Sequence, residues 1–293
     1  MNKIGLIGTG MLGNAVGLRL LQSGNNLFVY NRTKGKTREL AKNRAMVLGS
    51  PKDVAQECDL VITVVKDADA VREVSFGKNG IVEGEHEGLV VADMSTINPN
   101  ASKDIAKEFA KHGITMLDTP VMGGPNVAIK GELVLMASGD KTAFEKHKKT
   151  FETIANKTFF LGKNGTAHSV KLSMNLQIAL LALSLSEGIT LSRGAGVDPK
   201  VFLSILNSTY FKTGMSENKA YRMINDEFPA TFTLKNLKKD LDTINGAAND
   251  FGLSLPTTTK AGEIYKKAVE EGFGELDYTG ILSYLKKAAK LAN

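Results

Sequence analysis

Gly8-Thr9-Gly10-Met11-Leu12-Gly13 follows directly on an apolar run at 4–7 and opens a stretch with apolar Ala15, Val16, Leu18 and Leu21. A glycine-rich turn between a strand and a helix constrains a chain strongly. Gly8 permits the tight turn, Gly10 lets a pyrophosphate approach the backbone, and Gly13 allows the helix to pack closely on the strand. The N–H groups that begin the helix have no intrahelical acceptor, so they suit an anion. With a second strand expected at 27–30, the pattern reads as a dinucleotide-binding unit rather than a merely structural turn.

The end of that second strand discriminates between cofactors. A carboxylate about 20 residues past the glycines accepts the ribose 2′-hydroxyl bonds of NAD. Here the chain has Asn31-Arg32-Thr33, with Lys34 and Lys36 close behind. A guanidinium can grip a 2′-phosphate that a carboxylate would repel. NADP(H) is therefore expected over NAD(H); the alternative makes Arg32 an ordinary surface arginine. Thr9, Met11 and Leu12 join the three glycines, Asn31, Arg32 and Thr33 as expected cofactor contacts, as do Val65 and Lys66 at the end of the fourth strand.

Between 1 and 163, short apolar runs at 4–7, 27–30, 45–48, 60–65, 89–94, 115–117, 133–137 and 158–161 alternate with helical patterns. That alternation predicts a parallel, doubly wound Rossmann-type α/β sheet. Within residues 164–194, the stretch 167–193 holds no glycine except Gly188 and no proline, and apolar side chains fall on most faces. They predict a long, buried linking helix. From 195 to 293 only helical patterns follow, opened by signals such as Asp198-Pro199 and Pro256. This region is expected to be an all-α substrate and oligomerisation domain.

Composition sets further bounds. The 293 residues are 42% hydrophobic and 23% charged, as expected of a globular protein without a membrane partner. No run reads as a membrane span, and no leader is expected before the first strand. The lone Cys58 permits no internal disulfide and suits the reducing cytoplasm, as a small buried thiol. Net charge is +6, but the lysines are interleaved with acids along helices, which argues against nucleic acid as a partner. The four histidines, at 86, 112, 147 and 168, lack ligand-like spacing, so no metal is expected. Tyr221 and Tyr265 are not followed by lysine four residues on, so neither opens a Tyr-x-x-x-Lys short-chain dehydrogenase site.

Four further motifs carry a family resemblance: Asp93-Met94-Ser95-Thr96; Asp118-Thr119-Pro120-Val121-Met122-Gly123-Gly124; Gly162-x-x-Gly165-x-x-His168-x-x-Lys171-x-x-x-Asn175; and Lys239-Asp240. With the N-terminal glycines, the chain resembles the β-hydroxyacid dehydrogenase family over nearly its whole length. That family includes 3-hydroxyisobutyrate dehydrogenase, tartronate semialdehyde reductase and the glyoxylate/succinic semialdehyde reductases. The resemblance makes Lys171 and Asn175 the catalytic pair and places Ser95 and Thr96 beside the nicotinamide. It brings Lys239 to cofactor and substrate, with Asp240 to orient it, and sets Phe232 over the pocket. Strand-end capping for Ser95 and Thr96, and core packing for Phe232, are the structural alternatives.

The residue chemistry agrees. Lys171 and Asn175 are four apart and share a helix face, and a lysine inside an apolar helix is costly without a role. Desolvation eases its deprotonation, so it can give a proton to a carbonyl oxygen or take one from an alcohol. A lysine snorkelling from the helix end is the bland alternative. His168 reads equally as helix-entry packing, a surface imidazole or a catalytic group. Backbone N–H groups of Met122, Gly123 and Gly124 could hold a substrate carboxylate, although Met122 stands where the family usually has serine.

The expected activity is NADPH-dependent reduction of a small carboxylate-bearing aldehyde or keto acid of the glyoxylate or succinic semialdehyde type. An NAD-dependent 3-hydroxyisobutyrate-type dehydrogenase comes next. Imine reduction and decarboxylating 6-phosphogluconate chemistry rank lower, and a non-catalytic NADP(H)-binding redox sensor is the rival from another class. The site is expected in a cleft between the domains. Apolar Leu203, Ile205, Leu206, Ile281, Leu282, Tyr284 and Leu285 point to a homodimer or homotetramer through the helical domain.

Overall fold

The computed structural model describes residues 3–290, which divide after Leu172 into two compact units. The division falls inside one long helix. The first unit runs β1 (Lys3–Ile7), α1 (Met11–Gln22), β2 (Asn26–Tyr30), α2 (Arg38–Lys42), β3 (Met46–Val47), α3 (Pro51–Glu57), β4 (Leu60–Thr63), α4 (Ala68–Phe76), β5 (Val90–Asp93), α5 (Pro99–Lys111) and β6 (Thr115–Asp118). It continues through β7 (Val121–Met122), α6 (Pro125–Ala128), β8 (Leu133–Ala137), α7 (Lys141–Ile154), β9 (Ala155–Phe160) and the opening of α8 (Thr166–Gly194).

Strands β1 to β6 form one parallel sheet in the order β3-β2-β1-β4-β5-β6. The order reverses between β1 and β4, so the carboxyl ends there frame the crevice in which open α/β sheets bind ligands. Both faces are covered. Ile4, Leu6, Leu60, Ile62, Val90 and Ala92 pack on one side with α1 and α7 residues, while Ile7, Val61 and Val91 pack on the other with residues of α3 and α5. Such two-sided burial is why these strands carry consecutive apolar residues rather than an alternation.

The expected single parallel series stops at β6. The runs at 133–137 and 158–161 become β8 and β9 of a separate three-stranded sheet, whose first member, the short antiparallel β7, is not evident in the sequence pattern. Pro120 and the Gly123-Gly124 pair turn the chain back on itself, and β8 returns antiparallel to β7. Strand β3 shrinks to two residues at the exposed sheet edge. Cys58 is buried behind β4, and burial pushes its thiol up to about 12. A thiol so protonated is a poor nucleophile.

The second unit contains the rest of α8, then α9 (Pro199–Asn207), α10 (Gly214–Asn218), α11 (Ala220–Ile224), α12 (Leu234–Asp250), α13 (Pro256–Ala268) and α14 (Ile281–Ala288). Leu185, Ile189, Leu203, Ala220, Met223 and Leu282 form one of its cores. Asp277 is a buried hub: it accepts from Lys219 at 2.9 and 3.1 Å, from the Thr231 hydroxyl and from the Thr279 hydroxyl. Burial raises its carboxyl, but Lys219 and the hydroxyl donors outweigh that and hold it below the usual carboxylate range.

Helix α8 departs from its expected burial. Val170, Met174, Leu181 and Leu191 are exposed, the last at 76%. By length and composition alone α8 could cross a bilayer, contrary to the expectation that no such run exists. Its buried positions, however, serve the cores described above. Of the residues expected to seek a partner chain, Leu203, Ile281 and Leu282 are satisfied inside the unit, whereas Ile205 stays 62% exposed.

Candidate active site

The glycine turn has the shape its sequence requires. Gly8 has φ +99°, and a Cβ there would lie 2.1 Å from the Val64 carbonyl oxygen. A Cβ on Gly13 would lie 2.0 Å from the Gly8 carbonyl oxygen, whereas one on Gly10 would meet nothing within 4 Å. The chain thus closes tightly around Gly8 and Gly13 and leaves the space before Gly10 open. Helix α1 has no side-chain N-cap and no acidic residue in its first turn. Open space in front of uncapped N–H donors fits a pyrophosphate.

Asn31 is tied to this turn. Its Oδ1 accepts the Thr9 N–H at 2.9 Å, and its Nδ2 donates to the Thr33 carbonyl. The Thr9 hydroxyl donates to the Lys36 carbonyl. An open cleft of about 750 Å³ lies alongside, lined by Thr9, Gly10, Asn14, Lys36, Arg38 and Lys42 among others. Arg38, Lys42 and Asn14 were not singled out by motif, although the density of cations after β2 was the available signal. The Arg32 guanidinium is exposed and lies 3.6 Å from Glu73 of α4. Lys66 is exposed and pairs with Asp67.

Ser95 is buried, and its Oγ accepts the Val65 N–H at 3.0 Å. It fastens the loop after β4 to the loop after β5, as in the strand-end capping alternative. Thr96 is half-buried in the same loop. Met122 ends β7, and its Sδ lies 3.3 Å from Lys171 Nζ. Gly123 has φ +118°, and a Cβ there would crowd Leu133 and Val127, so this turn needs glycine. Gly124 caps α6.

His168 is fully buried in the first unit, beside Asp93 and Asp118, rather than at the surface. Lys171, one turn on, is half-buried. In the second unit Asn175 is buried and donates from Nδ2 to Asp240 Oδ2 at 2.6 Å. Asp240 Oδ1 in turn lies 2.6 Å from Lys239 Nζ. The chain of Asn175, Asp240 and Lys239 explains why the motif carries an acid beside its lysine. Asn175 Oδ1 has no hydrogen-bond partner, an unmet buried acceptor. Phe232 packs against Tyr278 with the rings tilted at 59° and their centroids 6.0 Å apart. Among the described residues no group of three or more His, Cys, Asp or Glu side chains is arranged to hold a metal ion.

Fold and turn together define a dinucleotide-binding oxidoreductase. Residues 3–162 match the model of the NAD-binding domain of 6-phosphogluconate dehydrogenase, and 165–285 match that of the NAD-binding region of NADP-dependent 3-hydroxyisobutyrate dehydrogenase. Two Arabidopsis thaliana proteins, glyoxylate/succinic semialdehyde reductase 1 and the chloroplastic reductase 2, are each 31% identical. The matches cover 97% and 98% of this chain, and 98% and 80% of theirs respectively. The structure of 3-hydroxyisobutyrate dehydrogenase from Salmonella typhimurium superposes with a TM-score of 0.88 at 23% identity, over 97% of this chain and 100% of that one. The chain belongs to the β-hydroxyacid dehydrogenase family and is an oxidoreductase that uses a nicotinamide dinucleotide.

Proposed function

We propose that this protein reduces a small aldehyde or keto acid bearing a carboxylate, of the glyoxylate or succinic semialdehyde kind, with NADPH. The observation that carries the reading is the pair on α8. Lys171 offers a half-buried ammonium, and Asn175, one turn on, is held by Asp240 with its Oδ1 unmet. The nicotinamide supplies the hydride when bound. Lys171 Nζ gives a proton to the carbonyl oxygen of the substrate as the alcohol forms, and takes it back in the reverse direction. Asn175 Oδ1 accepts from a substrate hydroxyl, which becomes available only in the alcohol product. Turn residues Met122, Gly123 and Gly124 receive the carboxylate, with the Met122 thioether as an apolar wall that narrows the choice of substrate.

Support for NADPH comes from the cation-rich segment after β2. Lys36, Arg38 and Lys42 line the cleft beside the glycine turn together with one acid, Glu39; Arg32 follows the end of β2, where no Asp or Glu stands. A 2′-phosphate gains charge-assisted bonds from such donors. Glu73 competes for Arg32, so on binding the 2′-phosphate Arg32 exchanges one ionic partner for another. The test is NADPH and NADH absorbance followed against a panel of small aldehydes and keto acids, with and without a carboxylate. A higher kcat/KM with NADPH and carboxylate-bearing substrates is expected. Equal use of the two cofactors, or indifference to the carboxylate, refutes the corresponding part.

A further inference from the structure

Asp93 and Asp118 are paired in register at the ends of neighbouring parallel strands β5 and β6, and both are fully buried. Adjacent strands run about 4.8 Å apart, so two carboxylates so placed repel each other in a medium that screens them little. Asp118 is well supplied. Its Oδ1 accepts from the Ser102 hydroxyl at 2.6 Å and Asn164 Nδ2 at 3.1 Å, and its Oδ2 from the Ser138 hydroxyl at 2.7 Å and the Gly165 N–H at 2.5 Å. Asp93 is half supplied. Its Oδ1 accepts from the Thr63 hydroxyl and the Ser95 N–H, while Oδ2 has no hydrogen bond. Burial pushes the Asp93 carboxyl up, against His168, Thr63 and Ser95, which pull it down.

His168 enters this pair from the first turn of α8. Its Nε2 lies 3.6 Å from Asp93 Oδ2 and 3.8 Å from Asp118 Oδ1. Neither ring nitrogen has a hydrogen bond, so the donor that Asp93 lacks and the acceptor that His168 lacks face one another. The same helix entry is held twice more, by the Gly165 N–H on Asp118 and the Ala167 N–H on the Ser138 hydroxyl. Three ties therefore fix the start of α8 to the carboxyl ends of the sheet. Asp93 also orders the Ser95 loop, whose hydroxyl caps the chain after β4.

We propose that His168 is a positioning residue for Lys171. The imidazole set between the two acids locks the first turn of α8 and so fixes the Lys171 amine, three residues further along the same helix. Compensation of the paired acids is what demands a histidine there, since an apolar residue would leave both carboxylates facing each other. The inference rests on the reading of Lys171 as the proton donor.

The test compares His168→Phe, His168→Gln and the pair Asp93→Asn with His168→Gln, which puts two neutral amides in place of the acid and the imidazole. Each is measured for Tm, NADPH affinity by the change in its fluorescence, KM, and kcat per titrated NADPH-binding site. A misplacement of about 1 Å costs roughly 100-fold in turnover. The expected result is a kcat loss of about tenfold or more in His168→Gln, with NADPH affinity kept within about threefold and KM moving less than kcat. The neutral pair is expected to regain part of that kcat. Should His168→Phe not fold, the two glutamine variants decide by the same criterion. A smaller kcat loss in both, whatever happens to Tm, overturns the proposal. Lys171→Ala runs in parallel: if it retains turnover, the reading of Lys171 itself fails. If it loses turnover while His168→Gln does not, the positioning role alone is refuted.

Discussion

Gly10→Ala and Gly13→Ala should separate binding from stability, although the two glycines are three residues apart in one turn. At Gly13 the added Cβ lies 2.0 Å from a backbone carbonyl oxygen, a full ångström inside the 3.0 Å limit for Cβ contacts. A carbonyl cannot swing aside as a side chain can, so α1 must move off β1. Overpacking costs about 1–3 kcal/mol, and a backbone clash belongs at the upper end. For a unit of this size about 3 kcal/mol corresponds to roughly 6–12 °C in Tm. At Gly10 the Cβ meets nothing, and φ of −69° suits alanine. The small penalty of alanine at an N-cap is offset by the lower entropy of the unfolded chain, each below about 1 kcal/mol. The new methyl instead occupies the space in front of the α1 donors. Loss of two charge-assisted hydrogen bonds to the pyrophosphate, at about 1.5 kcal/mol each, weakens NADPH about 100-fold. Calorimetry and fluorescence titration on both variants measure the two quantities. Wild-type NADPH affinity in Gly10→Ala, or wild-type Tm in Gly13→Ala, refutes the account of the turn.

Lys171→Ala should lower kcat by about 10²–10⁴ while leaving NADPH binding intact, and Lys171→Met should match it if proton transfer rather than burial is lost. Arg32→Ala should raise KM for NADPH and leave that for NADH unchanged, whereas Asn31→Asp should shift preference toward NADH; steady-state kinetics with each cofactor checks both. Asp277, held low by Lys219, contributes stability that is complete above about pH 3.9 and drains away as pH falls through its depressed folded value. Asp277→Asn should therefore remove a step from the acid limb of Tm against pH, and an unchanged limb would refute the pairing. Ile205, Leu191, Tyr210 and Phe211 leave exposed apolar area on the helical unit, so self-association is expected in light scattering, and Ile205→Lys should weaken it. A persistent monomer removes that expectation.

The two-sided core strands were legible because burial on both faces leaves a run of consecutive apolar residues. Leu60, Val61 and Ile62 show it plainly. Strand β7 was not, because two residues, Val121 and Met122, carry no periodicity, and only β8 opposite them defines a strand. Lys171 and Asn175 stood out as polar residues in an apolar helix. The Asp93, Asp118 and His168 cluster did not, since register between strands, not spacing along the chain, brings the two acids together. Ser95 was legible as a motif residue, yet its bond to the Val65 N–H requires knowing which loops adjoin.

Asn31 joins two properties that enzymology usually treats as separate dials. Its amide oxygen holds the Thr9 N–H of the glycine turn, and its amide nitrogen holds the Thr33 carbonyl in the segment proposed to meet the ribose of NADPH. A carboxylate put there keeps the acceptor and forfeits the donor. A switch of cofactor preference at residue 31 is therefore also a loosening of the hinge between turn and strand. Full recovery of activity with NADH would call for a second change that restrains Thr33, which makes the route from one cofactor to the other at least two substitutions long.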